Sequence, residues 1–130
     1  MNKITVGFLV VNQETISKLS ELPLKACTAD QSRKIRKLSK LIKEEITNFE
    51  ETRNQYIVEN GTETENGTWS IKDEEDVQKA EKWISDLLKV EAEIEVEPFL
   101  TYEDVKNISE HIELSIKDLD VLEGLGILEE

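Results

Sequence analysis

Apolar and polar positions alternate at two places in this 130-residue chain, and the alternation predicts two strands. The first covers 3–11, where apolar residues occupy every second position: Ile4, Val6, Phe8 and Val10. The second covers 91–97, where Ala92, Ile94 and Val96 would face inward. Its other face would carry four carboxylates: Glu91, Glu93, Glu95 and Glu97. A period of two residues is typical of a strand with one buried side. Because a row of carboxylates repels itself, we expect it to be fully exposed or to meet a basic partner surface.

Between these segments the apolar spacing changes to that of amphipathic helices. One stripe predicts a long helix over about 31–59: Ile35, Leu38, Ile42, Ile46, Phe49, Tyr56 and Ile57. An acidic loop with two Asn-Gly turn signals follows at 60–67. A second stripe predicts a helix over about 73–89: Val77, Ala80, Ile84, Leu87 and Leu88. Two helices joined through such a loop predict an antiparallel helical hairpin.

Shorter signals complete the predicted fold. Ile16, Leu19 and Leu22 indicate a short helix that ends at Pro23. Two capping boxes predict short C-terminal helices: Thr101 with Asp104, and Ser115 with Asp118. We therefore expect one α+β domain over 1–130, an antiparallel helical hairpin packed on a small, mostly antiparallel β-sheet.

Charge is divided unevenly along the chain. Residues 1–58 carry a net charge of +3 and residues 59–130 a net charge of −16, which gives −13 for the whole protein. Six cations lie within eleven residues of the long helix: Arg33, Lys34, Arg36, Lys37, Lys40 and Lys43. Cations near a helix start oppose the helix dipole. We therefore expect this basic cluster to meet an anionic surface, either on a partner or in the protein's own acidic half.

The basic cluster does not by itself predict nucleic-acid binding. The strongly negative total charge opposes an approach to phosphate, and no aromatic residue lies within the cluster. A reversed role is also open, in which the acidic half mimics nucleic acid in a basic groove of a partner. Trp69, Trp83 and Tyr102 are candidate anchors of a protein-binding surface, with core packing as the alternative. Direct nucleic-acid binding is not expected.

Catalytic and metal-binding patterns do not emerge from the residue types present. The chain has one histidine, His111, and one cysteine, Cys27, so neither a Cys-His nucleophile nor a structural zinc site is predicted. No Gly-rich phosphate loop precedes a Lys-Ser/Thr pair. We expect no cofactor, no metal and no enzymatic activity. The apolar runs are too short for a signal peptide or a membrane span, so we expect a cytoplasmic protein without membrane contact.

The order of these features resembles a loose class of small proteins encoded by phages and prophages of Gram-positive bacteria. The similar segments are the N-terminal apolar run, the Lys/Arg-rich stretch SRKIRKL, the Asn-Gly loop, VEAEIEV and LSIKDL. The resemblance covers most of the chain and carries over no functional residues. It implies a context in which such proteins assist particle assembly or bind and disable a host protein, here in the host cytoplasm.

The leading functional hypothesis is a non-enzymatic accessory protein that binds a host protein through charged surfaces and inhibits it. The alternative is a phage assembly chaperone or minor structural component, which would have a phage structural protein as its partner. An enzyme that uses His111 or Cys27 is the least favoured hypothesis. The oligomeric state stays open, a homo-oligomer included.

Overall fold

The computed structural model describes residues 4–129, which are mainly helical with one small two-stranded antiparallel sheet. The elements follow in this order: α1 (Val6–Val11), α2 (Gln13–Ser20), a 3₁₀ turn (Leu24–Ala26), α3 (Ala29–Asn60), β1 (Thr62–Glu63), β2 (Trp69–Ser70), α4 (Glu74–Leu88), α5 (Tyr102–Ser109) and α6 (Ile116–Leu125). This content is compatible with the mixed α+β class. The helices predicted over about 31–59 and 73–89 correspond to α3 and α4.

The strand predicted over 3–11 is wrong for its described residues, and Lys3 lies outside them. Residues 6–11 form α1, which begins after Thr5, whose Oγ1 accepts a hydrogen bond of 3.1 Å from Phe8 N. Only Thr5 keeps a β-type pairing, an isolated antiparallel bridge to Glu91. A short run that is apolar at nearly every position suits a buried helix as well as a buried strand. Here Val6 and Leu9 face the core one helical turn apart.

The strand predicted over 91–97 is also wrong. Beyond the bridge at Glu91 this segment has no regular structure, bends at Glu93 and pairs with no strand. The predicted alternation of burial is nevertheless present, because Ala92 and Ile94 are buried while the four glutamates are exposed. The apolar side packs on the core with helices as neighbours, and Glu93 N donates to the Glu45 carboxylate of α3 at 3.3 Å. Alternation indicated one buried face and could not identify what covers it.

The β-structure therefore lies elsewhere than predicted. Thr62 pairs with Ser70 and Glu63 with Trp69, so the antiparallel strands β1 and β2 close the connection between α3 and α4. This connection spans the loop predicted at 60–67. In the turn between β1 and β2, the Thr64 and Thr68 hydroxyl oxygens lie 2.6 Å apart. Gly67 in the same turn has a φ of 77°, a backbone conformation that favours glycine.

Three helices begin with capping boxes, including the two predicted from the C-terminal sequence. Thr101 accepts from Asp104 N and Ser115 accepts from Asp118 N, each at 3.1 Å, and both aspartates bond back to the cap residue. Thr28 and Gln31 form the same arrangement at the start of α3. Each box satisfies backbone donors that a helix start would otherwise leave without a partner.

The core is built around α1 and the C-terminal third of the chain. Among residues 4–129, seven large apolar side chains are fully buried: Leu9, Ile42, Leu100, Ile108, Leu122, Leu125 and Ile127. A parallel bridge between Leu100 and Leu128 fastens the chain end beside α5. Gly7 lets α1 approach α4 closely, since a Cβ there would lie 2.9 Å from the carbonyl oxygen of Leu88. The long helix α3 packs against this core through Ile35, Leu38, Ile42 and Phe49.

Candidate functional site

The six cations of the basic cluster point in different directions, because α3 separates them onto different faces. All six side chains are exposed. Arg36, Lys40 and Lys43 follow the i, i+4, i+7 spacing of one helix face and line a groove beside α2. Lys34 and Lys37 lie on another face, beside the acidic segment 91–97. Arg33 lines neither of these two depressions.

A groove between α2 and α3 carries three of the six cations. Its volume is about 500 Å³. The rim is cationic, formed by Arg36, Lys40 and Lys43, and hydroxyl groups of both helices also line it. The floor is apolar and consists of Ile16, Ile42 and Ile46. We call this depression the α2–α3 groove. Cations along the α3 side of an apolar floor suit an occupant with carboxylates along one side of an apolar stripe.

The three rim cations have no ionic partner within the described part of the chain. The ion pairs there are Lys18–Asp118, Lys34–Asp30 and Lys79–Glu75. One carboxylate, that of Glu50, lines the far end of the groove. Because Arg36 and Lys40 are four residues apart on one helix, their like charges repel by a few tenths of a kcal/mol. The rim thus keeps positive charge that the folded protein does not neutralise by ion pairing.

A second cavity of about 370 Å³ continues the groove toward the start of α3. The two cavities share Ser20, Arg36 and Ser39. The lining of the second is mostly apolar, including Leu22 and Leu24, and Leu24 is 81% exposed. The α2–α3 groove and its extension therefore form a channel that is apolar near the 3₁₀ turn and cationic farther along α3.

On another face of α3, the protein's own acidic half meets part of the basic cluster. Lys34, Lys37, Glu95 and Glu97 line a common cavity of about 290 Å³. Lys34 Nζ also lies 5.9 Å from the centre of the Phe99 ring and 3.0 Å from Asp30 Oδ2. The basic cluster was expected to meet an anionic surface either on a partner or in the protein itself. For Lys34 and Lys37 the anionic neighbour is intramolecular. Arg36, Lys40 and Lys43 lie on the separate groove, and Lys40 and Lys43 also line a depression with Glu44 and Glu51.

The predicted aromatic anchors are half-exposed and lie apart from the groove lining. Trp83 of α4 stacks on Tyr56 of α3, with ring centres 4.4 Å apart and an angle of 20° between the planes. Trp69, in β2, is 41% exposed. Tyr102 begins α5, and its hydroxyl donates to Glu123 Oε1 at 3.1 Å. The structure does not bring the three predicted anchors and the rim cations into one site.

A buried ionic cluster joins α2 to α6. Asp118 accepts hydrogen bonds from Thr15 Oγ1 at 2.5 Å, from Lys18 Nζ at 2.7 Å and from Ser115 N at 2.9 Å. Burial alone would raise the pKa of the Asp118 carboxyl. The hydrogen bonds from Lys18, Ser115 and Thr15 outweigh burial and hold that pKa well below its usual range. The hydrogen bond between Lys18 and Asp118 also raises the pKa of Lys18. These hydrogen bonds fix α2 against α6, and other residues of α2 form one wall of the groove.

The other residues considered for chemistry do not form a reactive set. His111 is exposed in the turn after α5. Cys27 is partly buried, and its Sγ lies 3.3 Å from Ser32 Oγ. Among residues 4–129, no three side chains of the types His, Cys, Asp or Glu are placed to hold a metal ion together. Within the same range, no helix combines the length and the apolar character that crossing a membrane requires.

Several residues of the groove had no signal in the sequence. The floor residues Ile42 and Ile46 were recognised as an apolar stripe, but nothing indicated that they would also floor a depression. The α2 side, including Ile16 and Ser20, depends on how α2 packs against α3. The polar residues of α2 would have indicated a groove only if the packing of α2 against the basic face of α3 had been known.

Comparison with known proteins found no matching family model, no similar curated protein and no similar solved structure.

Proposed function

We propose that this protein is a non-enzymatic, phage-type accessory protein that binds a host protein through charged surfaces and inhibits it. The single observation that supports this most is the α2–α3 groove. It presents three exposed cations over an apolar floor, and these cations have no ion pair within the described chain. The proposed site of action is the host cytoplasm.

The electrostatics of α3 support a role in binding. Like charges at Arg36, Lys40 and Lys43 repel one another and so disfavour the helix. All three lie in its N-terminal half but beyond the first turn, where cations oppose the helix dipole only weakly. A partner that supplies carboxylates would remove this repulsion in the complex. Placing these cations beside apolar side chains also matches the usual anatomy of binding surfaces, in which apolar contact supplies affinity and charge supplies orientation.

The acidic remainder of the protein would orient the partner. The net charge is −13, so a basic groove in this background gives the molecule a strongly uneven field. The exposed glutamates 91, 93, 95 and 97 lie on the acidic segment 91–97, which borders another face of α3. A partner with acidic and basic regions in matching order would be drawn to one orientation, while uniformly acidic proteins would be repelled.

We also propose that α3 and α4 act as the antiparallel hairpin that the sequence predicts. The pairing of β1 with β2 in their connection and the stack of Tyr56 on Trp83 support this arrangement. In this proposal α4 stiffens the distal half of α3, so that the groove is presented on a rigid helix.

The test is affinity capture from host lysate, with and without phage infection, using two charge-matched triple variants. Arg36→Gln/Lys40→Gln/Lys43→Gln removes the rim charges. Arg33→Gln/Lys34→Gln/Lys37→Gln removes the same number of charges from the same helix outside the groove. We expect one host protein to be captured by the wild type and by the control variant, and to be lost with the rim variant and at raised salt.

Capture of no host protein would refute the proposal. Capture of capsid or tail proteins from infected cells instead would replace it with the assembly role. Equal loss of the host protein with both variants would show that overall charge, and not the groove, determines binding.

A further inference from the structure

We infer that the occupant of the α2–α3 groove is an acidic amphipathic helix presented by the partner protein. This inference rests on the proposed function and adds the kind of segment that is bound. It follows from the spacing of the rim cations, the position of the apolar floor and the change of polarity along the groove.

The rim cations are spaced for another helix. Arg36, Lys40 and Lys43 lie within eight residues of α3, and the seven steps from first to last rise about 10 Å at 1.5 Å per residue. A second helix that lies along α3 can place carboxylates at the same i, i+4, i+7 spacing and so face all three cations. Groove recognition of this kind commonly uses anchors at i, i+3, i+4 and i+7.

The floor supplies the apolar half of the contact. Ile16 and Ile42 are buried at 7% and 1% exposure and form a closed base, and Ile46 extends it along α3. A short extended peptide would direct alternate side chains away from this base. A helix directs one continuous apolar stripe into it and keeps its acidic positions at the margin, beside the rim.

The polarity along the groove sets the direction of the charge pattern in the occupant. Toward the 3₁₀ turn the lining becomes apolar, with Leu22 and the largely exposed Leu24. The combined lining runs from Ser32 to Glu50, which is about 27 Å along α3 or five helical turns. We therefore infer an occupant of about five turns, with an apolar end beside Leu24 and acidic residues beside Arg36, Lys40 and Lys43. Its far end would avoid Glu50.

A nucleic acid would also bring negative charge to these cations, but the groove suits it less. Neither cavity has an aromatic side chain in its lining on which a base would stack. The net charge of −13 opposes a polyanion that extends beyond the groove. A helix with a limited number of carboxylates fits the local positive charge without carrying a long anionic backbone past the acidic half.

The experiment is fluorescence anisotropy with labelled synthetic 18-residue peptides and the full-length protein. The probes are acidic amphipathic peptides with one leucine stripe, in several registers of glutamate against leucine. A scrambled peptide of the same composition and a 12-nucleotide single-stranded DNA are compared with them.

Protein variants are the rim triple Arg36→Gln/Lys40→Gln/Lys43→Gln, the control triple Arg33→Gln/Lys34→Gln/Lys37→Gln, and Ser20→Trp. Because Ser20 is exposed and belongs to both cavities, its replacement by tryptophan fills the groove without a change of charge. Circular dichroism verifies that each variant is folded.

We expect at least one amphipathic peptide to bind at least tenfold more tightly than the scrambled peptide, and to gain helical circular dichroism on binding. The rim triple and Ser20→Trp should each weaken binding at least tenfold, and the control triple by no more than twofold. Tighter binding of the DNA than of any peptide would overturn the inference. Equal binding of amphipathic and scrambled peptides would also overturn it.

The failure of this inference can be told apart from that of the proposed function. If no peptide binds while capture of a host protein still depends on the rim cations, the groove has another occupant and the proposed function survives. If neither the peptides nor a host protein bind, the proposed function fails with it.

Discussion

Gln31 and Asp104 join the first turns of α3 and α5 through a hydrogen bond of 3.0 Å from Gln31 Nε2 to Asp104 Oδ2. Each residue is also the third helical residue of its own capping box. The backbone N–H of Thr101 and the side-chain amide of Gln31 both donate to Asp104 Oδ2, and Thr101 Oγ1 accepts from the backbone N–H of Asp104. The hydrogen bond from the backbone N–H of Thr101 is the chief reason that the pKa of the Asp104 carboxyl lies below its usual range. Two local caps are thereby connected into one contact between distant parts of the chain.

Removing either partner should destabilise the protein, and the two losses should not add. We expect Gln31→Ala and Asp104→Ala each to lower the free energy of unfolding by about 1 kcal/mol, the usual contribution of a cap. The double variant should lose less than the sum, by about 0.5 kcal/mol or more. Urea unfolding of the four proteins measures this. Strict additivity would show that the two caps act independently.

Asp118 should be the more sensitive position because its carboxylate is buried. Asp118→Asn keeps the size of the side chain but brings an NH₂ group toward Lys18 Nζ and removes the charge that pairs with it. We expect a loss of about 2 kcal/mol, since Thr15 and Ser115 lose a charged acceptor in a buried site. Asp120→Asn, at an exposed position of the same helix, is the control and should change stability by less than about 0.5 kcal/mol. A similar small effect at Asp118 would contradict the importance of this cluster.

The lowered pKa of Asp118 also predicts a pH dependence. A carboxyl whose pKa is lower in the folded than in the unfolded state stabilises the fold fully above its unfolded value of about 4. That contribution is lost as pH falls from there toward the folded value. The stability difference between wild type and Asp118→Asn should therefore be constant from pH 7 to 5 and shrink between pH 4 and 2. Urea unfolding at each pH tests this, and a difference that grows on acidification would show that the sign is wrong.

The stack of Tyr56 on Trp83 should couple α3 to α4. Trp83→Ala and Trp69→Ala remove side chains of nearly equal exposure, 38% and 41%, but only Trp83 stacks on a ring among the described residues. We expect Trp83→Ala to cost about 0.5–1.5 kcal/mol more than Trp69→Ala. A double-mutant cycle with Tyr56→Ala should recover a coupling energy of the same size for Trp83 and none for Trp69. Equal coupling at both tryptophans would exclude the stack as its source.

Local signals in the sequence were sufficient for much of the helical structure. The apolar stripes of α3 and α4 and the capping boxes at Thr101 and Ser115 repeat or close within a few residues, so they can be recognised without knowledge of the fold. The prediction was wrong for residues 4–11 because a short run that is apolar at nearly every position has no decisive period. The strand predicted at 91–97 was wrong because a segment without strand pairing that packs on helices produces the same alternation of apolar and polar residues.

The candidate site could be predicted only in part for the same physical reason. The basic cluster was visible, but its division between the groove and the acidic segment depends on the direction of each side chain around α3. Lys18 and Asp118 are 100 residues apart in sequence, and nothing local connects them. The groove itself exists only because α2 lies beside α3, a contact that no motif records.

The most direct test of the central claim, that the α2–α3 groove holds the partner, is site-specific photo-crosslinking. A photoreactive amino acid would replace Thr47, an exposed residue that lines the groove, and in a matched protein would replace Lys82, an exposed residue of α4. We predict that irradiation in host lysate joins one host protein to the Thr47 variant and not to the Lys82 variant. The peptide cross-linked to position 47 should be an acidic amphipathic segment. A host protein captured by the wild type but cross-linked through position 82 and not 47 would contradict the account.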